Sequence, residues 1–168
     1  MNLELEKELA ANQAAKYQNT IYQNQVIEWV GNRRWDLFVS LTFRHKVTEE
    51  VASKTLNQFF KHLCRKCKTK EIKRVPLLEQ TANASHYHMT LNKPDNWTDD
   101  DFKRAMRDCW CELKGTGISN LLLRNNGEKR SWYQVIGNTK GDVEHVVGYM
   151  TKTLGNTNDA LDVMSVRL

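Results

Sequence analysis

Residues 85–91 read Ser85-His86-Tyr87-His88-Met89-Thr90-Leu91, SHYHMTL. Successive side chains of a strand point to opposite faces. His86 and His88 therefore share one face, and Tyr87, Met89 and Leu91 share the other. The apolar side needs a core to cover it, so this stretch predicts a sheet with one covered face and one face that displays imidazoles. TANAS (81–85) is a turn. IKRVPLLEQ (72–80) is a strand whose Pro76 belongs near a strand start or a sheet edge. The two strands make a hairpin with two admissible registers. Glu79 opposite His86 leaves Ala82-Asn83 as the loop, and Glu79 opposite His88 gives a longer loop ending at Ser85. Directly paired residues share a face, so either register sets the carboxylate beside the imidazoles. A one-residue slip would face Glu79 to Tyr87 instead.

The same alternation recurs in LFVSLTF (37–43). Val39, Leu41 and Phe43 point one way; Phe38, Ser40 and Thr42 point the other. Residues 3–30 have helical spacing and stop at Gly31-Asn32. Thr48 caps a helix through about Cys67, with Ala52, Leu56, Phe59, Phe60, Leu63 and Cys67 on its apolar face. Thr98 caps another through about Lys114, burying Phe102, Met106, Cys109, Trp110 and Leu113. ISNLLL and SWYQVIG are strands around the turn RNNGEK. A last helix begins near Asp142 and carries Val146, Val147, Tyr149, Met150 and Leu154. Runs of strands broken by helices predict an α+β fold, an antiparallel sheet of about five strands with helices on one face. Ser40, Thr42, His86 and His88 then look out from the open face.

Composition sets outer bounds. The 168 residues suit one domain with an added helix, and at 40% hydrophobic the chain can bury a core. The formal charge of +5 and isoelectric point near 9.0 permit a polyanionic partner. Basic residues cluster at Arg65, Lys66, Lys68, Lys70, Lys73 and Arg74, and again at Arg33, Arg34, Arg44 and Lys46. No apolar run has membrane length, and the acidic, amphipathic start MNLELEKELAANQ is no signal peptide. A cytoplasmic protein with reduced thiols is expected. Cys64, Cys67, Cys109 and Cys111 could form a zinc site between two helices, but Cys67 and Cys109 fall on apolar faces where thiols fill the core.

Two imidazoles and a carboxylate can hold one divalent cation and leave positions open for water and a phosphate oxygen. Such mixed ligation tolerates Mg²⁺, Mn²⁺ or a later transition metal. Among five tyrosines, Tyr149 is followed by Lys152 three residues on in HVVGYMTK, and His145 precedes it by one turn of the same helix. A phenol beside a lysine and a bound cation can attack phosphorus.

Together LFVSLTF, the His-hydrophobic-His of HYH with Glu79 upstream, and the Y-x-x-K of YMTK resemble, in order, the motifs of the HUH endonucleases. These are the Rep initiators of rolling-circle replication in small plasmids and single-stranded DNA phages and viruses. The span 35–152 covers most of the chain. The resemblance implies a ferredoxin- or RRM-like sheet with its site on the open face. It implies Tyr149 as nucleophile, Lys152 as assisting cation, and Glu79, His86 and His88 as ligands of Mg²⁺ or Mn²⁺. The reaction implied is nicking and joining of single-stranded DNA, or of an origin hairpin, through a 5′-phosphotyrosine link. Arg33, Arg34, Ser40, Thr42, Arg44 and His145 are candidate DNA contacts. The expected layout is a helical extension over 1–32, the nuclease domain over 33–155 and a tail over 156–168. Position 153 is Thr, so this looks like a one-tyrosine Rep. The chain has no G-x-x-x-x-G-K-[ST] loop, so a helicase, like the polymerase, is expected to be separate unless the sequence is part of a longer protein. A one-tyrosine transposase and a non-catalytic DNA-binding module are the alternatives.

Overall fold

The protein is described here from a computed structural model. It describes residues 3–117, 122–123, 129–130, 132–137, 139–151, 160–161 and 166–168. Helix α1 (Leu3–Gly31) leads into strand β1 (Leu37–Phe43), helix α2 (Glu49–Cys67), strands β2 (Arg74–Gln80) and β3 (Ser85–Leu91) and helix α3 (Asp99–Cys111). Short strands β4 (Thr116–Gly117), β5 (Leu122–Leu123), β6 (Lys129–Arg130) and β7 (Tyr133–Val135) precede helix α4 (Lys140–Thr151) and strand β8 (Ala160–Leu161). No helix among the described residues is long and apolar enough to cross a membrane.

Both predicted caps form. The Thr48 hydroxyl accepts from the Val51 amide and the Thr98 hydroxyl from the Asp101 amide, closing the first turns of α2 and α3. Helix α2 ends at Lys68, whose left-handed backbone (φ 54, ψ 36) lets its N–H and that of Thr69 turn back to the carbonyls of Arg65 and Cys64. Lys68 is the only residue other than glycine with positive φ among those described.

The sheet is antiparallel, in the order β4-β1-β3-β2-β8, with β7 also paired to β1. The hairpin takes the tighter of the two registers: Glu79 faces His86, and the Thr81 amide donates to the Ala84 carbonyl across the turn. The segment expected as a strand over 131–137 divides. Lys129 and Arg130 pair with β5 in a separate ribbon, whereas Tyr133–Val135 joins the main sheet beside β1. Hydrogen bonds from the Ser40 amide to the Trp132 carbonyl and from the Ile136 amide to the Asp36 carbonyl pin the latter piece.

Strand parity produces two cores. Val39, Leu41, Phe43, Leu78, Tyr87, Met89 and Leu91 bury against the apolar faces of α2 and α3. On the opposite face Phe38, Val75 and Leu77 bury against Val143, Val147 and Met150 of α4 and Val26 and Val30 of α1. The two capped helices thus cover one face, and α4 with the last turns of α1 covers part of the other. The Trp110 indole, fully buried, donates to the carbonyls of Thr42 (3.1 Å) and Gly117 (2.9 Å) and meets Phe43 and Phe59 edge-on. It holds α3 to the end of β1.

Candidate active site

The face under α4 is built of three rows across β1, β3 and β2. Phe38, Thr90 and Val75 form the first, Ser40, His88 and Leu77 the second, Thr42, His86 and Glu79 the third. Polarity rises from row to row, so α4 seals the apolar end and leaves the carboxylate and imidazoles at its margin. His88 is buried; His86 and Glu79 are half-buried.

Each imidazole is held from behind by a hydroxyl of β1. Ser40 Oγ lies 2.8 Å from His88 Nδ1, and Thr42 Oγ1 lies 3.1 Å from His86 Nδ1. On the far side His88 Nε2 lies 2.8 Å from Glu79 Oε2. The carboxylate can only accept, so His88 donates from Nε2, and its neutral ring then accepts at Nδ1 from Ser40. The rings of Phe38, His88 and His86 stand nearly parallel, with centroids 5.9 and 6.3 Å apart. Burial, reinforced by the neighbouring His88 and partly countered by Glu79, holds His86 below its ordinary pKa of 6.5. That favours the neutral ring a cation requires.

Tyr149 closes the site. Its half-buried ring, carried by α4, meets His88 edge-on at 6.0 Å between centroids (82°) and Phe38 edge-on at 6.0 Å (86°). Four of the sequence candidates, Glu79, His86, His88 and Tyr149, therefore converge. Lys152 lies outside the described residues. Ser40 and Thr42, expected as DNA contacts, stand behind the imidazoles. Arg44 is exposed and donates from Nε to the Thr116 carbonyl (2.9 Å). Arg33 and Arg34 are exposed between α1 and β1, where Arg33 lies over the Trp29 ring (5.9 Å) and the Arg34 carbonyl accepts from the Asn92 amide group (3.3 Å). His145 is exposed one turn before Tyr149, near the Asp142 carboxylate that also caps Thr139. The basic run at 65–74 belongs to the end of α2 and the approach to β2, away from this face. Phe38 escaped the sequence reading as part of the site, although its parity with Ser40 and Thr42 was the available signal.

No three His, Cys, Asp or Glu side chains among the described residues stand at chelating distances as they lie; Glu79 and His88 bond to each other instead. The donors nonetheless suit a divalent ion. They comprise one carboxylate and two imidazoles on one face, each ring with its Nδ1 supported by a hydroxyl, as ligating histidines commonly are. The cysteines do not suit zinc. Cys67 and Cys109 are buried, and burial pushes the Cys67 thiol up to about 11 and also raises Cys64 and Cys109.

A family model for the replication-associated protein ORF2 and its phage counterparts matches residues 36–158. No curated protein matches the chain. Among solved structures, the chain is similar to the hypothetical protein ORF119 from Sulfolobus islandicus rod-shaped virus 1. That match has 15% identity and a TM-score of 0.43, over 77% of this chain and 91% of that one.

Proposed function

Because the chain belongs to the replication-associated protein ORF2 family, which is of the HUH replication-initiator type, we propose that it nicks and rejoins single-stranded DNA at a replication origin, with Tyr149 as the nucleophile. The observation that carries this reading is the edge-on contact of Tyr149 with His88, which joins the tyrosine of YMTK to the HYH strand.

Glu79, His86 and His88 would hold one Mg²⁺ or Mn²⁺ ion, which when bound supplies charge stabilisation at a phosphoryl oxygen. To ligate, Glu79 and His88 give up their mutual hydrogen bond. His88 must then present a bare Nε2 and carry its proton at Nδ1. Ser40 permits the change, because a hydroxyl can donate to one tautomer and accept from the other. Thr42 does the same for His86. Phe38 blocks rotation of the His88 ring and fixes the tyrosine from the other side.

Tyr149 Oη attacks the phosphorus, forming an aryl phosphodiester to the 5′ side as the bond to the 3′ oxygen breaks. The phenolic proton leaves to solvent or base, and the departing oxygen is protonated to a 3′-OH. A free phenol ordinarily holds its proton at neutral pH, so the reaction needs the nearby positive charge; Lys152 is the side chain assigned to supply part of it. Rejoining reverses the step. Incubation with a pool of single-stranded oligonucleotides and Mn²⁺ tests the proposal. A covalent adduct at Tyr149, located by mass spectrometry and lost in Tyr149→Phe, is expected. A nucleotide on another tyrosine, or full cleavage in excess chelator, would overturn it.

A further inference from the structure

On the opposite side of the sheet, where α2 ends, lies a recess of about 480 Å³. Lys61, Arg65, Lys68, Lys70, Arg74 and Arg167 line it, with Glu71 as the only carboxylate. Six cations against one anion give this recess a net formal charge equal to the +5 of the whole chain. Lys61, Arg65, Lys68 and Lys70 make no ion pair with any described residue, whereas their neighbour Lys66 is bound by Asp108 at 3.2 Å.

Favourable interaction with the carbonyl end of α2 accounts for one or two such cations, not for six. Lys68 adds an independent sign. It is held in the left-handed conformation that glycine or asparagine would adopt at lower cost, and strain of this kind gathers where a side chain is needed in place. Arg74 is buried with its guanidinium 3.8 Å over the Phe60 ring, donating to the Ile72 carbonyl (3.0 Å). It forms a fixed positive floor.

The recess offers charge without a stacking platform. Phe60, its one aromatic lining residue, is already capped by Arg74. Mononucleotides and unpaired strands are usually gripped by stacking on open rings, whereas a duplex keeps its bases inside and presents phosphates alone. The recess is also remote from the imidazoles. Arg74 begins β2 and points to the first core, while Glu79 lies five residues on, about 17 Å along the strand, on the opposite face. We propose that this recess grips the phosphate backbone of duplex DNA, a second nucleic-acid contact away from the cutting face. The proposal rests on the reading that the chain acts on DNA, but not on its cutting chemistry.

Fluorescence anisotropy with a labelled random duplex, read across a salt series, is the test, and it needs no nicking. The triple variant Lys61→Ala, Lys68→Ala, Lys70→Ala should bind the duplex on the order of tenfold more weakly, with a log–log salt slope shallower by two to three units, about 0.9 per lost contact. His86→Ala should leave duplex binding intact. Lys68→Gly guards against misfolding, since it removes the charge and relieves the backbone; it should raise Tm while reducing the slope by about one. If Tyr149→Phe proves irrelevant to any adduct but these shifts appear, the recess stands and the nicking proposal falls. Unchanged duplex affinity and slope in the triple variant, or equal loss of binding to a single strand of the same length, would overturn the recess.

Discussion

Ser40 has a hydroxyl where it can serve either tautomer of His88, and this makes it a positioning residue and not a spectator. Ser40→Ala should weaken Mn²⁺ binding by about 10- to 100-fold in calorimetric titration, with Ser40→Thr restoring most of it. His86 links the site to pH. Its folded pKa lies below 6.5, so as pH falls the unfolded chain takes up the proton first. The stability associated with the neutral ring is retained above about 6.5 and declines as pH falls towards the lower, folded value. Denaturant midpoints in chelator should therefore drop between about pH 7 and pH 5, and His86→Gln should flatten that component. A flat wild-type profile would contradict the assigned direction. Among the thiols, exposed Cys111 should be alkylated first by iodoacetamide, while Cys67 and Cys109 react only on unfolding.

The elements explain how much of this was legible beforehand. Parity alone assigned Val39, Leu41, Phe43, Tyr87, Met89 and Leu91 to the core beneath α2 and α3, because a strand's period of two admits no compromise between faces. It also put Glu79 beside His86 and His88, and the tight turn over 81–84 chose between the two registers that the sequence left open. Parity says nothing about which helix lies over the displayed face. The cover by α4 and the end of α1 was therefore not read from the sequence. Nor was the division of 131–137, which depends on backbone bonds to Ser40 and Asp36 from residues far apart in the chain. Trp110 is the element-scale test. Trp110→Phe keeps most of the ring but deprives two carbonyls, those of Thr42 and Gly117, of their donor. A loss of about 1–3 kcal/mol in urea unfolding is expected, with the α3–β1 contact loosened in hydrogen exchange.

At the scale of the molecule, α1 belongs to the second core through its end alone. Val26 and Val30 are buried with α4, while Lys7, Glu8, Tyr17 and Tyr22 are exposed. Deleting residues 1–17 should leave Tm nearly unchanged. Deleting 1–31 strips both valines from Val143 and Val147, and removing two buried aliphatic side chains should cost several kcal/mol, roughly 2–5. Because α4 carries Tyr149, the longer deletion should also abolish the adduct while the duplex contact on the other side persists. Equal Tm values for the two truncations would show that the N-terminal helix does not brace α4.

The hairpin gathers Glu79, His86 and His88 within a single short stretch of chain, whereas Tyr149 arrives from a helix much further on. During translation, the cation ligands leave the ribosome and can pair in register long before the tyrosine is synthesised. Only the docking of α4 onto Phe38, Val75 and Leu77 unites the two. A nascent chain is thus equipped to capture its ion while it is still incapable of attacking DNA, and the capacity to cut is acquired last, with the second core.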